Sequence, residues 1–205
     1  MRFCVAIAAA LLSFMTVGSA ISKAAEIDSS AEFAFVTDFG SGKVLMKKQP
    51  DALMKPASMA KIMTVYIAFE RIADGSLSLD DTFLISEKAW RKGGSKTFVE
   101  VGKEVSVRDL LYGVVVQSGN DAAIAIAEGI SGTEEGFAEE MNYVARKLGM
   151  EKTVFRNSTG WPHLEQHTTA RDLNILATAL IREFPADKYP ALYPMFAEKD
   201  FTYNG

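Results

Sequence analysis

The chain has 205 residues, 48% of them hydrophobic and 23% charged, a balance that supports a globular core and excludes a low-complexity or disordered protein. The formal net charge is −4 and no Lys/Arg run stands out, which argues against nucleic acid as a partner. The single cysteine, Cys4, sits in an N-terminal leader, so the remainder of the chain has neither a disulfide nor a thiolate metal site.

Arg2 followed by the uncharged apolar run 3–17 reads as a secretory signal peptide over residues 1–24, with small residues offering cleavage after Ala20 or Ala24. An uncleaved anchor is the alternative, because the uncharged stretch 3–21 approaches the roughly 20 residues that span a bilayer. A short leader with no disulfides after it points to the bacterial periplasm, and residues 25–205 are left as one domain. Apolar-rich runs 32–37 and 43–46 flank the turn-forming residues 38–42 and predict a β-hairpin. Pro56 suits the first position of a helix and Gly75 its end, which predicts a helix over 56–73. Residues 82–86 read as a short extended piece. Ser106, with a carboxylate three residues later at Asp109, predicts a helix through Val116. Ser118-Gly119-Asn120 interrupts it, and 121–130 resumes as an alanine-rich helix. An amphipathic helix over 133–148 ends at Gly149, and another starts at Thr169 and runs to about Glu183, before Pro185. Residues 199–203 alternate like a strand. Strands, then a block of helices, then strands again predict an α+β fold, a helical cluster packed on a mostly antiparallel β-sheet.

The chemistry concentrates at Ser58 and Lys61. Three positions apart on a helix, they share a face. The surrounding stretch 59–72 is apolar on nearly every side, apart from Lys61, Glu70 and Arg71, which predicts a core helix. A lysine buried there loses hydration, so its charged form is disfavoured and its amine becomes a usable base. A serine beside such an amine is a candidate nucleophile. The spacing alone arises roughly once by chance in a chain of this size. A second motif is needed, and Ser118-Gly119-Asn120 supplies one: a hydroxyl and an amide in a break between two apolar helices, whose own bland reading is a turn.

Together, Ser-x-x-Lys in an apolar helix and Ser-Gly-Asn about sixty residues later resemble the penicillin-binding, serine-active acyltransferases. Within these, the chain is similar to the low-molecular-mass D-alanyl-D-alanine carboxypeptidases. Further stretches carry the resemblance: 41–45, 56–64, 117–122, 157–160, 168–173 and 201–205. It implies a β-lactamase/transpeptidase-like fold. It also implies roles: Ser58 attacks the penultimate D-alanine carbonyl of a peptidoglycan stem peptide, and Lys61 takes its proton. Ser118 relays a proton to the leaving D-alanine, Asn120 binds the substrate amide or steadies Lys61, and the Ser58 N–H donates to the oxyanion. β-Lactams would acylate the same serine.

The resemblance has one departure. The family's third motif, Lys-Thr-Gly on a strand, does not occur: Lys96-Thr97 is followed by Phe98 and Lys152-Thr153 by Val154. The expectation is of an incomplete domain that lacks the C-terminal strands and is weakly active or inactive, with inner-membrane association only where a C-terminal anchor is present. Two alternatives stay open, a class A β-lactamase-like hydrolase and a non-catalytic peptidoglycan- or β-lactam-binding remnant. Glu165 lacks the Glu-x-x-Leu-Asn context that the lactamase needs. His163 and His167 are spaced for zinc on a helix, but Pro162 argues for a loop and no third ligand is evident, so no metal or cofactor is expected. Asp80-Asp81 and Glu134-Glu135 read as solvated helix-start charges, and Tyr189, Tyr193 and Phe196 as packing residues.

Overall fold

The computed structural model describes residues 29–203. The expected signal peptide with Cys4, and Asn204 and Gly205 of the closing motif, lie outside the described residues. Strand β1 (Ala34–Thr37) pairs antiparallel with β2 (Val44–Lys48), Val36 opposite Met46, and the register slips between Val36 and Thr37. After a single 3-10 turn (Ala57–Ala60) comes helix α1 (Lys61–Ala73). Then follow β3 (Thr82–Leu84), the short α2 (Glu87–Arg91), and β4 (Glu104–Ser106), which pairs with β3. The remaining helices are α3 (Val107–Gln117), α4 (Asn120–Ser131), α5 (Glu134–Leu148) and α6 (Ala170–Glu183), followed by a 3-10 turn over Tyr193–Ala197.

The α+β expectation holds, and among the described residues the strands form two separate two-stranded antiparallel sheets. Helix starts fall where short polar side chains satisfy the orphan N–H groups of the first turn. Ser106 accepts from Asp109 N–H, Thr133 from Gly136 N–H and Thr169 from Asp172 N–H. Helix α5 ends on Gly149 in the left-handed conformation, the usual glycine stop.

Two helices form the centre. In α4 every residue from Asp121 to Ala127 is buried, and small alanines let α3, α5, α1 and α2 pack closely around it. In α1 the seven residues from Met63 to Phe69 are all buried, as an all-round apolar helix requires. Tyr66 ties α1 to α6, its hydroxyl donating to Glu183 Oε2 at 2.6 Å, and burial with this carboxylate pushes its own ionisation far up. Phe184 packs edge-on against both Tyr66 and Phe69.

Several expectations need correction. The helix predicted from Pro56 begins as the 3-10 turn, and α-helical bonding starts at Lys61. Asn120 is the first residue of α4 and not part of the interrupting loop. Residues 199–203 form no strand: Phe201 stacks on Tyr112 and its carbonyl accepts from the Gln117 amide, so side-chain docking on α3 replaces pairing. Asp80 and Asp81 lie in a turn before β3, where Asp80 pairs with Arg108 and Asp81 accepts from Ser78 N–H. Glu135 is exposed as expected, but Glu134 is buried. Tyr189, Tyr193 and Phe196 are packing residues, in ring contact with Phe184, Phe196 and Phe69 respectively.

Asp121 joins the fold to the site. Its carboxylate, fully buried, accepts from the backbone N–H groups of Thr97, Phe98, Val99 and Ala122 at 2.8, 2.8, 3.3 and 2.9 Å. One side chain thereby clamps the loop before β4 onto the start of α4. Removing it strands several buried donors, each worth about 1–3 kcal/mol. Asp121→Ala is therefore expected to lower stability by about 3–5 kcal/mol in a chemical denaturation curve, the range for breaking a buried charged network.

Candidate active site

Ser58 lies on the 3-10 turn that leads into α1, with its side chain exposed, while Lys61 one turn on is only 4% exposed. Their atoms meet as the spacing predicts: Lys61 Nζ is 3.4 Å from Ser58 Oγ. The amine makes its shorter bond to a backbone carbonyl, Thr159 O at 2.8 Å. Burial pulls the Lys61 pKa down to about 8, because the charged form has lost most of its water.

The backbone before Ser58 is unusual. Ala57 has φ +46°, in the left-handed region that residues with a Cβ rarely adopt, and so holds Ser58 at a sharp bend. Gly160, at φ +80°, packs directly on the Ala57 carbonyl and beside the Ser58 N–H, where a Cβ would collide. No other residue type fits that approach.

Ser118 enters from the junction of α3 and α4. It caps α3 in the left-handed conformation, φ +55°, which ends the helix and turns its side chain into a cavity of about 130 Å³ shared with Ser58 and Lys61. Val65, Val114 and Phe196 wall this cavity with apolar surface. Three of the four expected site residues, Ser58, Lys61 and Ser118, thus share one cavity. Asn120 is close by, buried, with its N–H on Ser95 O at 2.8 Å and its side-chain Nδ2 on Gly93 O at 2.8 Å. Its amide therefore steadies the loop before β4, not Lys61.

Sequence reasoning missed the loop 157–160 as a holder of the lysine. Thr159 presents a carbonyl, and a backbone acceptor leaves no residue-type signal. Thr64, one turn after Lys61, donates to Ser158 O at 2.7 Å, and Asn157 Oδ1 accepts from Gly160 N–H at 2.8 Å, so the loop is bound to α1 at two successive carbonyls. The run Asn157-Ser158-Thr159-Gly160, part of the family resemblance, is the one sequence signal for this loop. Phe196, expected as packing, is also a wall of the site.

The histidines lie on a loop, as Pro162 predicts. His163 Nδ1 accepts from Glu165 N–H, and His167 Nδ1 is 2.7 Å from Glu165 O. Among the described residues no group of three or more His, Cys, Asp or Glu is placed to hold a metal ion. That loop is organised by Lys55, whose ammonium donates to three backbone carbonyls, of His163, Leu164 and Gln166, at 3.0, 2.7 and 2.9 Å. Glu165 pairs with Arg156 at 2.9 Å.

Residues 19–204 match the family described as D-alanyl-D-alanine carboxypeptidase. The chain is 37% identical over 171 residues to D-alanyl-D-alanine carboxypeptidase DacF of Bacillus subtilis, covering 83% of this chain and 44% of that protein. It is 39% identical over 173 residues to D-alanyl-D-alanine carboxypeptidase DacC of Escherichia coli, covering 82% and 42%. It superposes on penicillin binding protein 5 from Haemophilus influenzae with a TM-score of 0.81 at 36% identity, covering 87% of this chain and 51% of that one. The chain spans less than half the length of both curated relatives.

Lys61 gives a stability prediction with a definite sign. Its pKa is about 8 folded and near 10.5 unfolded, so below pH 8 both states carry the proton and the folded state bears the full cost of a buried ammonium. Between pH 8 and 10.5 the unfolded chain binds more protons and stability rises with pH; above that range the cost is gone. Lys61→Met is expected to raise stability at pH 7 by about 1–3 kcal/mol, a gain that fades as pH approaches the unfolded value, measured by urea unfolding across pH.

Proposed function

This chain belongs to the D-alanyl-D-alanine carboxypeptidase family, and we propose that it acts as a serine acyltransferase on D-alanyl-D-alanine-terminated peptidoglycan stem peptides. The observation that carries the proposal is the Lys61 amine, buried, held by Thr159 O and 3.4 Å from Ser58 Oγ. Ser58 attacks the carbonyl carbon of the penultimate D-alanine, and its proton passes to the neutral Lys61 amine. The Ser58 backbone N–H, at the bend set by Ala57, donates to the developing oxyanion. Ser118, on the same cavity, passes the proton to the leaving D-alanine nitrogen, and the C–N bond breaks to leave an ester on Ser58. Asn120 offers its side-chain oxygen to a substrate N–H while its nitrogen stays on Gly93. Water then attacks the ester and frees the shortened peptide and Ser58. A β-lactam enters by the same attack, its ring amide taking the place of the peptide bond. The sequence supports export through residues 1–24 to the periplasm, where such peptides are found.

A lactamase-like reading needs a carboxylate to activate the deacylating water. Glu165 is exposed and paired with Arg156, which favours the carboxypeptidase.

Labelling of the full chain with a fluorescent penicillin tests the proposal. The label is expected on Ser58, lost in Ser58→Ala and slowed about 10²–10⁴-fold in Lys61→Ala, the usual range for removing a general base. Because the neutral amine is the reactive form, the rate is expected to rise through pH 8, the Lys61 pKa, and then level off. A chain that takes no label at any concentration, or takes it equally in Ser58→Ala, overturns the proposal and leaves the non-catalytic reading. Release of D-alanine from a pentapeptide, without turnover of the β-lactam, separates carboxypeptidase from lactamase.

A further inference from the structure

Glu134, in the first turn of α5, is only 6% exposed, and no step of the proposed reaction uses it. A carboxylate there is favoured by the helix dipole, but this one does not face solvent. Its Oε1 accepts from both donors of Ser158, the backbone N–H at 3.2 Å and the hydroxyl at 2.9 Å. Its Oε2 is 3.1 Å from Lys88 Nζ on α2, and Lys88 also binds the exposed Glu135 at 2.7 Å. Burying a carboxylate costs several kcal/mol unless its lone pairs are met, and here three donors meet them.

Ser158 is gripped from two sides. Glu134 holds its donors, while its carbonyl accepts from Thr64 of α1. The next carbonyl along the chain, Thr159 O, is the one that holds Lys61. With Ser158 fixed on one side and Gly160 N–H held by Asn157 Oδ1 on the other, the peptide between them has little freedom to swing, and the direction of the Thr159 carbonyl is set. Without Glu134, Ser158 keeps only the Thr64 bond, and the Thr159–Gly160 peptide is left with Asn157 Oδ1 on Gly160 N–H as its direct hold.

Resting on the reading of Lys61 as the base for Ser58, we propose that Glu134 is a positioning residue for that base: through Ser158 it fixes the Thr159 carbonyl that aims the Lys61 amine at Ser58. Its part is that of a hydrogen-bond acceptor. The bond to Lys88 neutralises the buried charge and is not required for the aim.

The full chain serves for the test, with two readouts. One is the pH profile of Ser58 acylation by a fluorescent penicillin; the other is the titration of the Lys61 amine, followed by NMR with lysine labelled with ¹³C at Cε. Glu134→Ala is expected to slow acylation by about tenfold or more, since small misplacement of a reacting group costs that much. The same change moves the Lys61 titration further down from about 8, because the ammonium loses the carbonyl that stabilises its charged form. Glu134→Gln retains an acceptor for Ser158 and is expected to restore both readouts. Ser158→Ala removes one of the two bonds and is expected to move both in the direction of Glu134→Ala, by less; it decides the matter where Glu134→Ala does not fold. Unchanged profile and titration in Glu134→Ala, or in Ser158→Ala, overturn the inference. So does a Glu134→Gln variant as impaired as Glu134→Ala. Failure of the unsubstituted chain to take the label counts against the proposed function, and the Lys61 titration alone then decides the role of Glu134.

Discussion

The hydrogen bond from the Lys61 amine to the Thr159 carbonyl, made inside a helix core, is the contact on which the site depends. An ammonium in that position is costly, and a single carbonyl offsets only part of the cost. The remainder appears as a proton held loosely near neutral pH, the property a base requires. The surrounding core, from Met63 to Phe69 on α1 and from Ala122 to Ala127 on α4, is large enough to tolerate that cost.

Three pieces of chain far apart in sequence converge on the site, and each is held by a different device. Ser58 sits on a strained bend locked by the close approach of Gly160. The α3–α4 junction, which carries Ser118, is fixed by the Asp121 carboxylate gathering amides from the loop before β4. The 157–160 loop is drawn onto α1 by Thr64 and onto α5 by Glu134. None of the three is positioned by its own secondary structure alone. Helices supply the rigid frame, and buried polar groups set the final geometry.

Local signals were the most legible part of the chain. Ser106, Thr133 and Thr169 cap helices where a short polar side chain precedes an apolar period, because capping is decided within a few residues. Ser58, Lys61 and Ser118 were legible because residue type, spacing and apolar context carry their chemistry. Thr159 was not, since its contribution is a carbonyl that any residue has. Glu134 looked like a solvated first-turn charge, and only its contact with Ser158, 24 residues away, shows otherwise. The alternation over 199–203 misled because a docked chain and a paired strand can present the same pattern, and Tyr112 and Gln117 decide between them. Helix α2, at five residues, is too short for periodicity to register.

Lys55 has a consequence of a different kind. The segment from His163 to Gln166, which shares a cavity with Ala57, wraps three carbonyls around the Lys55 ammonium much as a loop wraps a bound cation. Here the cation is tethered to the chain by its own covalent bonds. The charge that gathers that loop's carbonyls is therefore encoded in the sequence, one residue before Pro56, and is placed as soon as the chain folds.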